Sequence, residues 1–168
     1  NVSQIDREVR RHVLPFLAEK IRQTYALRKI PVLSRVYPWL CQAGRLLNQR
    51  FEQQVLYKLE LELNPFRKLS IGWENNKMLT YTEQFEFAAM HKLWNPRFSP
   101  KKNYELFGKC ANPEGHGHNY VLAVTVCPPA KKDGWLNGFQ HAVVKHFLDL
   151  MDHKNLNKDV KVFSKLNP

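Results

Sequence analysis

The chain has 168 residues, 43% of them hydrophobic, and a formal net charge of +11. That length admits one domain or two small ones, and the composition is that of a globular fold rather than a disordered or fibrous one. No apolar run approaches the ~20 residues of a membrane span, and three cysteines, an odd and sparse set, exclude a disulfide framework and fit a reducing, cytoplasmic setting.

The basic balance suits an anionic substrate or nucleic acid. The charges are scattered, and many fall at exposed helix positions. A solvated face is the expected reading, and nucleic acid is not an expected partner. The chain opens at Asn1 without methionine, on an amphipathic stretch with no secretory pattern, and reads as a fragment or a processed piece.

In chain order, Ile5, Val9, Val13 and Leu17 recur every four residues and predict a helix over 2–28, capped by Ser3. Pro15 should kink or split it. Pro31 and Pro38 bracket a connection, and Trp39, Leu40, Ala43, Leu46, Leu47 and Phe51 predict a second helix over 39–54, weakened slightly by Gly44. From Val55 to Leu63 the period becomes two, a half-buried strand ended by Asn64-Pro65, with 66–71 as its hairpin partner. The polar run GWENNK, Gly72 to Lys77, marks a boundary.

A second strand pattern follows. Tyr81, Glu83, Phe85, Phe87, Ala89 and His91 share one parity, and His91 ends the register. A long loop, Trp94 to Gly115, leads into FGKCANPEGHGHNYVLAVTV, which ends in an alternating apolar run. With a strand beginning near Gly115, His116 and His118 point to one side. If the two strands pair, His91 joins them, and three imidazoles can hold zinc with a fourth position open. The alternative is an ordinary strand-end histidine and a polar loop; the doublet with a nearby cysteine favours metal.

Cys110 lies in a polar Gly/Asn/Pro loop, where a nearby cation favours the thiolate; Cys41 reads as packing and Cys127 as inert. Asp133 can cap a helix running to about Met151, with Trp135, Leu136, Phe139, Val143, Phe147 and Leu150 on one face. His141 and His146 flank that stripe as surface or packing residues. Asp152-His153 follows, and on local physics alone it reads as a cationic C-terminal cap.

Cys-x5-His-Gly-His-Asn-Tyr after Phe-Gly-Lys, the strand ending Phe-x-Ala-x-His, and DHKNLN from Asp152 to Asn157 together resemble the 6-pyruvoyl-tetrahydropterin synthase and 6-carboxytetrahydropterin synthase family. The resemblance covers 82–168. It implies an α+β tunnelling fold: an antiparallel four-stranded sheet with two helices, its subunits closing into an oligomeric barrel. Element order then suggests tandem repeats, with 1–78 the C-terminal part of a first, degenerate repeat and 79–168 the N-terminal part of a second, zinc-bearing one.

The implied reaction converts 7,8-dihydroneopterin triphosphate to 6-pyruvoyl-tetrahydropterin with loss of triphosphate. Zn²⁺ would be held by His91, His116 and His118. Cys110, Asp152 and His153 would move protons, Asp152 orienting the imidazole. The family's ring-anchoring glutamate has no counterpart in 79–168; Glu60 and Glu62 are the nearest carboxylates of the first half. The alternatives are the carboxy synthase of the deazapurine (queuosine) pathway, which also releases acetaldehyde, and a non-catalytic pterin-binding homologue. The expected partners are the pterin triphosphate and further copies of the chain, in a trimer or hexamer-like ring.

Overall fold

The computed structural model describes residues 2–27, 33–51, 56–73, 78–129 and 134–163. Helices α1 (Val2–Glu8), α2 (Leu14–Ala26) and α3 (Leu33–Asn48) precede strands β1 (Lys58–Asn64), β2 (Arg67–Gly72) and β3 (Leu79–His91). Then come α4 (Pro100–Phe107), a 3₁₀ turn (Gly108–Ala111), β4 (His116–Val126), α5 (Trp135–Val143), α6 (Asp149–Met151), β5 (Lys154–Asn155) and α7 (Leu156–Asp159). The strand order is β1-β2-β3-β4, with β5 pairing β3. The protein is α+β, and its β1–β2 and β2–β3 ladders are antiparallel. The chain falls into two compact units: 1–83 with 124–135, and 84–123 with 136–168.

In the first unit the N-terminal helix departs from α geometry where the proline was expected to disturb it. Val9–Val13 is a π turn, and the Leu14 amide bonds to the Val9 carbonyl five residues back. The wider turn sits just ahead of Pro15, which occupies the first turn of α2, where its missing N–H costs little. The helix already includes Val2, so Ser3 lies inside it rather than capping it.

The second helix corrects the expected boundaries. It spans Leu33–Asn48, not 39–54, and Pro38 lies inside it. Val36, Leu40, Ala43 and Leu47 are all buried and form one stripe at 4-3-4 spacing. That apolar face outweighs one backbone bond lost at the proline. Val13, Ala43 and Leu47 make a core under Phe16, Leu17, Phe51 and Leu59. Gly44 has a packing role: a Cβ there would run into the indole of Trp73.

The β1–β2 hairpin forms as expected, with Leu61 opposite Leu69. The predicted strand start at Val55 lies outside the described residues, as do residues 74–77 of the polar run and Asp133. Next to it, Arg67 of β2 stands opposite Glu83 of β3. The Glu83 carboxylate is buried and accepts from Arg67 Nε at 2.9 Å and Tyr81 Oη at 2.8 Å. Burial, and then Glu83, push the Tyr81 phenol well above its ordinary range.

In the second unit, Ala89, Leu156 and Val160 form a core with Phe87, Tyr120, Met151 and Phe163. Phe87 stacks on Tyr120 at 5.0 Å and meets Phe147 edge-on at 5.4 Å. The stretch read as a long loop contains a two-turn helix, α4. Ser99 caps it by accepting from the Lys102 amide at 3.2 Å, and Pro100 is its first residue. Asn103, fully buried, holds the preceding turn: its Oδ1 accepts from the Asn95 amide at 2.7 Å, and its Nδ2 donates to the Asn95 carbonyl at 3.0 Å.

Candidate active site

β3 ends on His91, as its parity predicted, and β4 begins on His116. His116 and His118 are two apart on β4 and share a half-buried face. Gly115 makes the entry possible. It has φ +89°, and a Cβ there would stand 3.0 Å from the His91 carbonyl oxygen. Only glycine tolerates both the left-handed backbone and that approach.

The rings of His91 and His118 lie 4.8 Å apart between centroids, and His116 meets His118 edge-on at 4.6 Å. Cys110 comes from the 3₁₀ turn, whose carbonyl at Cys110 accepts from the Leu93 amide at 2.8 Å. Its sulfur is 3.4 Å from His91 Nε2 and 3.9 Å from His118 Nε2. The ligand atoms of His91, Cys110 and His118 all lie within 4.8 Å of one another. The structure thus brings together His91, His118 and Cys110. His116 packs against this group without belonging to that set of close ligand atoms. Burial, and then the adjacent Cys110 sulfur, raise the Tyr120 phenol, which keeps it neutral.

A tetrahedral zinc with ligands at 2.0–2.3 Å spaces neighbouring ligand atoms by roughly 3.3–3.8 Å. The sulfur–nitrogen separations of 3.4 and 3.9 Å match that spacing. Imidazole and thiolate are also the donors zinc accepts. The residues present fit the ion.

Asp152 and His153 follow α6. Asp152 Oδ1 accepts from the Ala88 amide at 2.9 Å, and Oδ2 faces His153 Nδ1 at 2.9 Å. The Ala88 N–H, and then His153, hold the Asp152 carboxyl below its usual range. His153 has φ +56° and donates its amide to the Ala88 carbonyl at 2.6 Å. A β-carbon in the left-handed region costs energy, so the surrounding bonds hold this conformation against the local preference.

His118 and His153 line one cleft of about 420 Å³, with Ala88, Met90, Asn119 and Lys154. Among the described residues its lining carries two imidazoles and an ammonium and no carboxylate. Sequence reasoning quoted Lys154 and Asn157 within DHKNLN without giving either a role, and it missed the Gly115 approach; Asn157 bonds the backbone of Lys92 through both ends of its amide. The Gly-x-Gly character around His116 was a usable signal for Gly115. The Asn157 bonds reach a partner 65 positions away and leave no local signal. His141 and His146 are exposed, Cys41 is buried, and Cys127 is exposed. Glu60 is engaged by Lys58 and Lys68 in the first unit.

Fold and site together define an α+β protein with an imidazole–thiol donor cluster beside an oriented Asp–His pair. The sequence model of the 6-pyruvoyl tetrahydropterin synthase family matches residues 80–168, just over half of the chain, and the chain belongs to that family. It is 39% identical over 87 residues to the 6-pyruvoyl tetrahydrobiopterin synthase of Drosophila melanogaster, covering 49% of this chain and 52% of that protein. To the 6-pyruvoyl tetrahydrobiopterin synthase of Homo sapiens it is 37% identical over 87 residues, covering 49% of this chain and 60% of that one. The solved 6-pyruvoyl tetrahydropterin synthase of Caenorhabditis elegans is 35% identical, with a TM-score of 0.44 over 52% of this chain and 65% of that chain. The chain therefore spans little more than half the length of the curated relatives it matches. No helix among the described residues is long and apolar enough to cross a membrane.

Proposed function

We propose that the chain contributes a zinc-dependent lyase site that converts 7,8-dihydroneopterin triphosphate to 6-pyruvoyl-tetrahydropterin with elimination of triphosphate. The supporting observation is the meeting of the His91–Cys110–His118 cluster and the Asp152–His153 pair in one unit, with His118 and His153 lining the same cleft. A non-catalytic homologue has no need to keep both.

By the family resemblance His91, His116 and His118 would hold the ion; the ligand atoms that the structure draws together are those of His91, Cys110 and His118, so the third protein ligand is His116 or the Cys110 sulfur. Bound there, zinc supplies a Lewis acid that acidifies the C–H bonds beside the substrate's side-chain oxygens. With His116 as the third ligand, Cys110, as thiolate, takes a proton from such a carbon. Asp152 fixes the His153 tautomer: Nδ1–H donates to the carboxylate, which leaves Nε2 to exchange a proton with substrate. The imidazole is 82% exposed, so that nitrogen is reachable from the cleft. The basic, carboxylate-free lining suits an anionic substrate. Assembly into a trimer or hexamer-like ring, and a division into tandem repeats at 78/79, belong to the same reading.

The test is to assay the purified chain for zinc and to incubate it with 7,8-dihydroneopterin triphosphate, identifying products by mass spectrometry. Triphosphate with the pyruvoyl pterin supports the proposal. Acetaldehyde among the products assigns the carboxy synthase reaction instead, and zinc-bearing protein with no turnover assigns a binding role.

A further inference from the structure

We propose that Asn157 is a positioning residue that holds the end of β3, and with it His91 and the Cys110 turn, in register for metal binding. The proposal rests on the reading of His91 as a metal ligand.

Three consecutive residues at the end of β3 carry the site's alignment. His91 supplies the imidazole. The Leu93 amide binds the Cys110 carbonyl at 2.8 Å and so places the turn that carries the sulfur. Lys92 lies between them. Asn157 Oδ1 accepts from the Lys92 amide at 2.7 Å, and Asn157 Nδ2 donates to the Lys92 carbonyl at 3.0 Å. Both polar groups of that residue's backbone are thereby satisfied by one planar amide, as a neighbouring strand would satisfy them.

The clasp completes a longer seam. Asp152 and His153 bond the two backbone groups of Ala88. Lys154 and Asn155 then pair in parallel with Ala89 and Met90. A two-residue strand is too short to fix its own register. Side chains pin it at both ends, Asp152 at Ala88 and Asn157 at Lys92. Asn157 is in turn held at the start of α7, where its own amide bonds Asn155 Oδ1 at 3.1 Å. The segment that carries the Asp–His pair is thus fixed against the strand that carries His91, and Asn157 is its far pin.

The test compares the full chain with Asn157→Ala, Asn157→Asp and Leu69→Ala. Leu69 is buried in the first unit, so its variant destabilises the protein away from the site. Cobalt(II) affinity is read by visible absorption, and hydrogen exchange of the Lys92 amide by NMR. Asn157→Ala should weaken cobalt binding roughly tenfold or more, as loss of a group that supports a ligand does, and should speed Lys92 exchange, with an unchanged circular dichroism spectrum. Asn157→Asp keeps an acceptor for the Lys92 amide, so it should recover that protection and part of the affinity; it also decides the matter if the alanine variant does not fold. Wild-type cobalt affinity and Lys92 exchange in Asn157→Ala overturn the proposal. So does an equal loss of affinity in Leu69→Ala. If the unaltered chain binds no cobalt, the metal reading falls by itself, and the clasp is judged on Lys92 exchange alone.

Discussion

The Oδ2 atom of Asp152 stands 2.9 Å from Nδ1 of His153. The two residues are chain neighbours, and the backbone at His153 is left-handed, with φ +56°. The other carboxylate oxygen is tied to the Ala88 amide, so the pair is anchored to β3 through Asp152.

Asp152→Asn tests the orienting role. The amide oxygen can still accept from Ala88, but an N–H then faces His153 Nδ1 and selects the wrong tautomer. Turnover of dihydroneopterin triphosphate should fall by about 10²-fold or more, the scale of general acid–base catalysis. The melting temperature should fall modestly at neutral pH and by less in acid, where the carboxylate is lost in the parent chain as well. Steady-state kinetics and a thermal melt check this, and full activity in the variant removes Asp152 from proton transfer. The acid limb carries a sign. The folded carboxyl is held below its ordinary value, so its stabilising bonds are complete above that value and weaken as pH falls through the depressed one.

The cluster offers two candidates for the third protein ligand, and substitutions separate them. His91→Ala and His118→Ala should each abolish stoichiometric zinc, read by inductively coupled plasma mass spectrometry. His116→Ala should do the same if three imidazoles hold the ion. Cys110→Ala should keep zinc and lose turnover by roughly 10²–10⁴-fold, as expected for loss of a base. Zinc lost in Cys110→Ala and kept in His116→Ala would make the sulfur a ligand and end its role as base.

The parts of this site that sequence reading reached are those encoded locally. A mostly apolar parity set ended on His91 and strict alternation began at His116, so both strand ends were legible, and the histidine doublet sat on one face by parity alone. Local pattern singled out Cys110 beside the histidine doublet, and resemblance to a family supplied its role in the reaction and turned the reading of Asp152–His153 from a helix cap into a catalytic pair. Two elements depart from the sequence reading, one through a single over-weighted residue and one through overlooked cap signals. Pro38 reads as a break, yet the Val36–Leu47 stripe runs straight through it. The Ser99-Pro100 start and Gly108 stop of α4 were present but lay inside a stretch read as loop. The bonds from Asn157 to Lys92 depend on chain segments far apart in sequence, and no window of local pattern contains them.

Glu60 gives a pH prediction in the first unit. Hydrogen bonds from Lys58, then Lys68 and Ser70, lower its carboxyl from 4.5 to about 2. A depressed folded value means that the stabilisation is complete above about 4.5 and disappears as pH falls toward about 2. Urea midpoints should therefore separate the chain from Glu60→Gln at pH 6, and the gap should narrow by pH 3.5. The carboxylate is 37% exposed, so 1 M salt should also narrow the gap at pH 6. A gap that is independent of both pH and salt would show that these contacts contribute nothing as charges.

Gly44→Ala tests packing against propensity. In an exposed helix interior this change stabilises by about 1 kcal/mol, because alanine loses less backbone entropy. Gly44 lies in α3, and its missing side chain is the space that the Trp73 ring fills. The Trp73 backbone is held by its amide, which donates to the Tyr57 carbonyl at 2.9 Å, so the clash is relieved only by turning the indole about its side-chain bonds. The added methyl should instead destabilise the chain by roughly 1–3 kcal/mol, the range for overpacking. Pairing Gly44→Ala with Trp73→Leu should relieve the clash and recover part of the loss. Chemical denaturation of the two single variants and the double variant measures that coupling. Additive effects, or a stabilised Gly44→Ala, would mean that the indole does not occupy the space above Gly44 in solution.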